Sequence, residues 1–175
     1  MNNRLIALAL VLGVAAPLAW AHGKEKHLPA QTQPGRDISG VQQQIAPDMV
    51  DAVAAVERFS TALGRGELDK AALELDPNVL ILESGGVERT RAEYMGGHAK
   101  ADAAFLKDAR VTVKQRQAHV SADMAWVGSE SEIHAKQGAE MLMISSTETM
   151  VLRKTSAGWK ITHIHWSSRR ADGSH

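Results

Sequence analysis

The chain reads as an α+β domain in which helices cover one face of a curved sheet. Two observations predict this. Apolar residues recur at helical spacing through the first part of the domain, and the pattern then changes to period two over four long segments. Helices followed by a run of antiparallel strands segregate the two kinds of element onto separate layers. The order read along the chain is helix, helix, strand, strand, helix, then four strands.

Each element has its own signal. "PDMVDAVAAVERFSTALGRG" sets Met49, Val50, Val53, Val56, Phe59 and Leu63 at helical spacing, and Gly64 and Gly66 stop it. Asp69 is placed to cap a short second helix, "KAALEL". Asp76-Pro77-Asn78 reads as a turn. "VLILES" is a strand, and Gly85-Gly86 reads as a hairpin turn into "VERT". Thr90 with Glu93 fits a capping box that opens a third helix through "RAEYMGGHAKADAAFLKD". "RVTVKQRQAHV", "MAWVGSESEIHA", "MLMISSTETMVLRKT" and "GWKITHIHWSSR" are the four long strands.

The first 21 residues stand apart. Arg4 is their only charge, an apolar run follows from Leu5 to Leu18, and "AWA" ends it in a small-x-small pattern. The run falls short of the ~20 apolar residues a comfortable span needs. Residues 1–21 therefore read as a signal peptide cleaved after Ala21, which makes the protein periplasmic or secreted. Residues 22–46 read as a flexible polar lead, 47–170 as the domain and 171–175 as a tail. The chain of 175 residues has no cysteine, so the fold stands on its core without disulfides. Of 20 Lys and Arg and 20 Asp and Glu, only Arg4 leaves with the signal. Such a balanced surface gives no reason to expect nucleic acid or, after cleavage, a membrane as partner.

Several groups could carry chemistry. In "GWKITHIHWSSRR", His163 and His165 alternate onto one face with Trp159 and Ile161. His98 and Asp102 stand four apart in the third helix and share a side. Together the three imidazoles and one carboxylate could ligate zinc or copper. They could equally serve as ligand contacts or acid–base groups, or be satisfied by polar neighbours. Arg89 and Arg91 flank that helix's start and could clamp an anionic ligand, or lie on a solvated turn. Glu148, between Ile144 and Met150, and Glu83, beyond Val79 and Ile81, are acids on apolar strand faces and candidate bases. Met141, Met143, Met150 and Met124 could favour cuprous copper, but such residues more often fill core space. After cleavage, His22 would add an amine and an imidazole. No G-x-S-x-G elbow or glycine-rich phosphate loop is present.

The element order, with Trp159, Ile161, His163, His165 and Ser167 in a terminal W-x-I-x-H-x-H-x-S strand, resembles the nuclear-transport-factor-2-like superfamily. It is similar in particular to the SnoaL-like and ketosteroid-isomerase-like branches. "ERTRAEYMGGHAKADAAFL" resembles the third helix of small bacterial members, and the likeness covers roughly residues 48–169. It implies a cone-shaped, curved antiparallel (mixed) sheet packed against three helices and enclosing a pocket, a small-molecule ligand, and a homodimer formed through the outer sheet face. Isomerase relatives use a carboxylate base and an oxyanion hole made of a tyrosine and a protonated acid. Tyr94, the chain's only tyrosine, is the matching residue type and a candidate ligand contact, but it lies in the third helix. The expectation is an exported small-molecule-binding domain, with isomerase-, cyclase- or dehydratase-like proton transfer as its candidate activity. A periplasmic zinc or copper protein using His98, Asp102, His163 and His165 is the alternative.

Overall fold

The computed structural model describes residues 47–138 and 140–171. The segments expected to be a signal peptide (1–21) and a polar lead (22–46), and the tail beyond 171, fall outside the described residues. Within them the elements are α1 (Pro47–Gly64), α2 (Leu68–Glu74), β1 (Leu75–Glu83), β2 (Gly86–Glu88), α3 (Arg91–Gly96), α4 (His98–Leu106), β3 (Arg110–Ser121), β4 (Met124–Gln137), β5 (Glu140–Thr155) and β6 (Gly158–Arg170). The six strands form one mixed, curved sheet in the order β2-β1-β6-β5-β4-β3. All pairs are antiparallel except β1 with β6, which joins the first long strand to the last.

α1 buries Ala52, Ala55, Val56, Phe59, Ala62 and Leu63, a single apolar stripe at i, i+3, i+4 and i+7. Val50, read from the sequence as part of that stripe, is 51% exposed, because Ala52 and Ala55 take the inward positions. Asp69 lies inside the first turn of α2, whose N-cap is Glu67. Asp76-Pro77-Asn78 is a kink inside β1. Asp76 Oδ1 accepts the Asn78 N–H at 2.9 Å, and the β1–β6 register shifts between Leu75 and Leu80. The β1–β2 turn is Ser84-Gly85, with φ of 48° and 84°. Two positive φ values give the type I′ geometry that suits a two-residue hairpin. Gly86 already pairs with Glu83.

The expected single third helix is two. Thr90 Oγ1 accepts the Glu93 N–H at 3.1 Å and caps α3 as the sequence suggests, and Glu93 Oε2 accepts the Arg89 N–H at 2.8 Å. The helix breaks at Gly97 (φ −129°, ψ −93°) before α4 begins.

The side of the sheet that the helices cover is set by alternation, and one residue reverses it. Trp159 and Ile161 are buried, and further along β6 Ile164 is buried with Trp166 packed against the core. The β5–β6 register slips between Val151 and Leu152, which pair with His163 and Ile161. Thr162 is therefore the extra residue of a β-bulge, and it flips the parity of everything after it. His163 and His165 thus face away from the side that Trp159 and Ile161 occupy. This corrects the face assigned to them from strict alternation. A similar slip between Val113 and Gln115 makes Lys114 the extra residue on β3.

Deleting Thr162 would restore strict alternation and turn Ile164 and Trp166 outward. The expected result is loss of cooperative thermal unfolding by circular dichroism, whereas Thr162→Ala stays folded. A folded deletion variant would contradict the parity argument.

Candidate functional site

One row across the helix-covered face carries Arg116, Glu148 and Glu83. The ladder pairs Arg116 with Ser129, Ser129 with Glu148, Glu148 with Trp166, and Trp166 with Glu83. The neighbouring row, Val127, Met150 and Ile164, is fully buried beneath the helices. The polar row is thus the first beyond the packed core, where the helices leave the sheet partly open.

Trp166 is the hub. Its Nε1 donates to Glu148 Oε2 at 2.8 Å. Its ring stacks on Phe59 of α1 (6.4 Å between centroids, 17° between planes) and meets Tyr94 of α3 at 6.1 Å and 46°. Offset and tilted pairs at these separations add to the area buried. Burial pushes the Glu148 carboxyl up from its ordinary value, while the Trp166 N–H, the Arg116 charge and the Ser129 hydroxyl pull it back. Arg116 is itself anchored, with Nε on Ser129 Oγ at 3.1 Å and Nη1 on Glu57 Oε1 at 2.8 Å.

The helices supply the other wall. Tyr94 is 1% exposed, and its hydroxyl donates to Asp102 Oδ2 at 2.9 Å. In an unbroken helix, residues eight apart sit about 12 Å apart along the axis. The break at Gly97 lets α4 turn, so that Asp102 meets the phenol. Burial, then the charge of Asp102, drive the Tyr94 phenol far above its ordinary range, so it is a fixed donor. Burial also raises Asp102, partly countered by the Tyr94 bond and by His98. Glu83 is pushed to about 6, first by burial and then by the charge of Asp102. Beside it on the β1–β2 hairpin, Glu88 is 6% exposed and accepts from Nδ1 of His98.

The residues singled out from the sequence are distributed as follows. Tyr94, Asp102, Glu83 and Glu148 come together around Trp166, and His98 reaches their edge through Glu88. His163 is on the outer face, where its Nδ1 donates to the Leu80 carbonyl at 2.9 Å, and His165 is exposed. Arg89 is exposed. Arg91 Nη1 is committed to the carbonyls of Ala72 (3.4 Å) and Leu75 (3.3 Å), at the end of α2. Met141 and Met143 are exposed, and Met150 is core. Among the described residues, no three His, Asp or Glu side chains cluster so as to hold a metal ion. The zinc or copper set therefore comes apart: the bulge at Thr162 sends His163 and His165 to the face opposite Asp102. Trp166, Arg116, Ser129 and Glu88 were not singled out. Trp166 was hidden by the bulge, and Glu88 by the shortness of its strand.

A separate hollow of about 410 Å³ lies where the hydroxyls of Ser145, Thr147 and Ser167 run between Lys114 and Arg169.

Comparison with known proteins agrees with this architecture. The family model of the SnoaL-like domain matches residues 52–170. A candidate ketosteroid isomerase from Shewanella frigidimarina is 38% identical, with a TM-score of 0.62, over 67% of this chain and 94% of that one. A candidate dehydratase of the NTF2-like family from Streptomyces avermitilis is 21% identical, with a TM-score of 0.60, over 69% and 94%. A CaMKII hub from S. rosetta is 19% identical, with a TM-score of 0.60, over 69% and 96%. The last two share the fold. No match is found among curated proteins.

The raised Glu83 carboxyl has a consequence for stability. Its folded value of about 6 exceeds the ordinary 4.5, so the folded state holds the proton more tightly than the unfolded chain. The stabilisation is full below 4.5 and is lost as pH rises through about 6. Glu83→Gln is expected to raise the melting temperature at neutral pH, by roughly 2–4 °C per kcal/mol of removed penalty. The gain should vanish in acid, as followed by calorimetry. A lower melting temperature at neutral pH would contradict the assignment.

Proposed function

The chain belongs to the SnoaL-like domain family, and on that premise we propose that it is an exported small-molecule-binding protein that moves a proton on a carbonyl compound, in the manner of an isomerase. The observation that carries this reading is the Glu83 carboxyl. It is held at about 6 beside the Asp102–Tyr94 pair and against Trp166. A base of that strength is largely ionised at neutral pH, yet still basic enough to take a proton from carbon next to a carbonyl. Burial favours the protonated form of Asp102; in that form it accepts from Tyr94 on Oδ2 and can donate from its other oxygen to the ligand's oxygen as charge develops there. Trp166, packed against Phe59 and Tyr94, fixes the apolar wall beside Glu83. The similarity to a candidate ketosteroid isomerase at 38% identity supports this class of chemistry.

The direct test is conversion of cyclohex-3-enone to the conjugated cyclohex-2-enone, followed by ultraviolet absorbance. The expected kcat/KM rises with pH through about 6 as Glu83 ionises and levels above it. Glu83→Gln is expected to lower it by ~10²-fold or more. Conversion that is absent, or indifferent to Glu83, sinks the reading.

Export and pairing belong to the same proposal. The signal-like run of residues 1–21 supports delivery to the periplasm. The outer sheet face carries one unbroken row of His119, Trp126, Val151, His163 and Leu80. Trp126 in that row is 41% exposed and Leu80 38%. Large exposed apolar side chains along such a stripe suit a self-complementary contact. Protein recovered from the periplasm is expected to begin at His22 by intact mass and to sediment as a dimer. Trp126→Glu is expected to sediment as a folded monomer. A monomeric wild-type chain, or an uncleaved one, contradicts the corresponding half.

A further inference from the structure

We propose that Met141, Met143 and His134 form a binding site for a soft monovalent metal ion of the copper(I) class, on the outer face of the sheet. None of the three belongs to the set of His98, Asp102, His163 and His165. The site lies outside the row proposed for pairing, since His134 follows Trp126 by eight residues along β4. It is also independent of the reading of Glu83 as base.

Register brings the three side chains to one face. His134 on β4 stands directly opposite Met143 on β5, and Lys136 stands opposite Met141. Opposed residues share a face with Cβ atoms about 5 Å apart, and Met141 lies two residues, about 7 Å, along that face from Met143. Unbranched thioether chains with three rotatable bonds can close those distances. The backbone beneath them is pinned. β4 pairs on one side, and on the other the Met143 carbonyl accepts the Ala171 N–H at 2.8 Å.

Packing does not account for the two methionines. Met141 is 66% exposed and Met143 38%, whereas Met150 on the same strand is fully buried. His134, in turn, is oriented as a metal ligand is. Its Nε2 donates to Glu132 Oε1 at 2.6 Å, and Glu132 Oε2 is held by Lys114 Nζ at 3.2 Å. An imidazole that donates from Nε2 to a carboxylate keeps its lone pair on Nδ1, and ligating histidines are characteristically supported in this way. The His134 side chain is partly exposed, so an ion can reach it.

The donor set and the local charge select the ion. Two thioethers and an imidazole are neutral, and thioethers are soft ligands that favour copper(I). Arg110, opposite His134, and Lys136, opposite Met141, add positive charge to the same face. Their repulsion is twice as large for a divalent ion as for a monovalent one. Glu132, already shared between Lys114 and His134, is not free to offset it. Zinc(II) and copper(II) are therefore disfavoured here.

The test uses the untagged protein with its methionine methyl groups labelled with carbon-13. Silver(I), a redox-inert ion of the same class, is titrated in and followed by NMR. The Met141 and Met143 methyl resonances are expected to shift together and saturate at one equivalent, while those of Met150 and Met124 stay still. Zinc(II) is expected to move neither pair. Competition for copper(I) against the chelator bicinchoninate then gives the affinity. Met141→Leu with Met143→Leu is expected to weaken it by about 100-fold, and His134→Gln by a similar factor. Leucine keeps the apolar area, so a patch that serves only as a contact surface would be indifferent to that change. As a positioning residue, Glu132 is expected to cost about tenfold when changed to Ala and to be largely restored by Glu132→Gln, which keeps an acceptor for the Nε2 N–H. Met141 and Met143 methyls that ignore excess silver(I) overturn the proposal. So does a copper(I) affinity that the double leucine variant or His134→Gln leaves unchanged. Zinc(II) that shifts the two methyls as silver(I) does overturns the assignment to a soft ion.

Discussion

The extra residue at Thr162 sets the arrangement on which the site depends. Upstream of it, Trp159 and Ile161 fill the core; downstream, Ile164 and Trp166 do. A strand of strict alternation would have offered histidines to the helices and a tryptophan to the outside. With the bulge, an indole with one polar atom sits where three elements converge. Its faces are spent on Phe59 and Tyr94 and its N–H on Glu148. The neighbouring strand brings Glu83 into register beside it. One backbone irregularity therefore decides both which side chains close the core and which line the open end.

The second constraint is electrostatic. Three carboxylates, Glu83, Asp102 and Glu148, are all drawn upward by burial. The surroundings divide them. Glu148 has an indole N–H, a hydroxyl and a nearby guanidinium, all of which favour its charged form. Glu83 has only a neighbouring acid to add to its burial. Groups of one type pushed apart by their neighbours are how a site assigns different roles to them. Arg116, tied to Glu57 on α1, also braces β3 against the helix layer.

Much of the fold was legible in the sequence. The period-two segments became the four long strands, and Thr90 with Glu93 marked a helix start that the hydrogen bonds reproduce. The break at Gly97 was visible as a weak point in a helix but not as the turn that lets Asp102 reach Tyr94. Parity placed Glu83 and Glu148 on apolar faces, and both do face the helices. Parity failed for His163 and His165 because Thr162 carries no glycine or other mark of a bulge. Arg91 looked like an anion clamp. Its partners are the backbone carbonyls of Ala72 and Leu75, where α2 passes into β1, acceptors that no side-chain pattern advertises. Glu88 was obscure because a three-residue strand has too little alternation to read.

The parallel pairing of β1 with β6 also orders events in time. Leu80 and His163 are neighbours in the sheet although more than eighty positions apart along the chain. Closing so long a loop is entropically slow, and the contact cannot form until the final strand exists. β1, β2 and the helices that lean on them therefore lack their central seam until β6 arrives. The same strand carries Trp166. Completion of the sheet and assembly of the site are thus one event, and a partly finished chain presents neither a closed core nor a working centre.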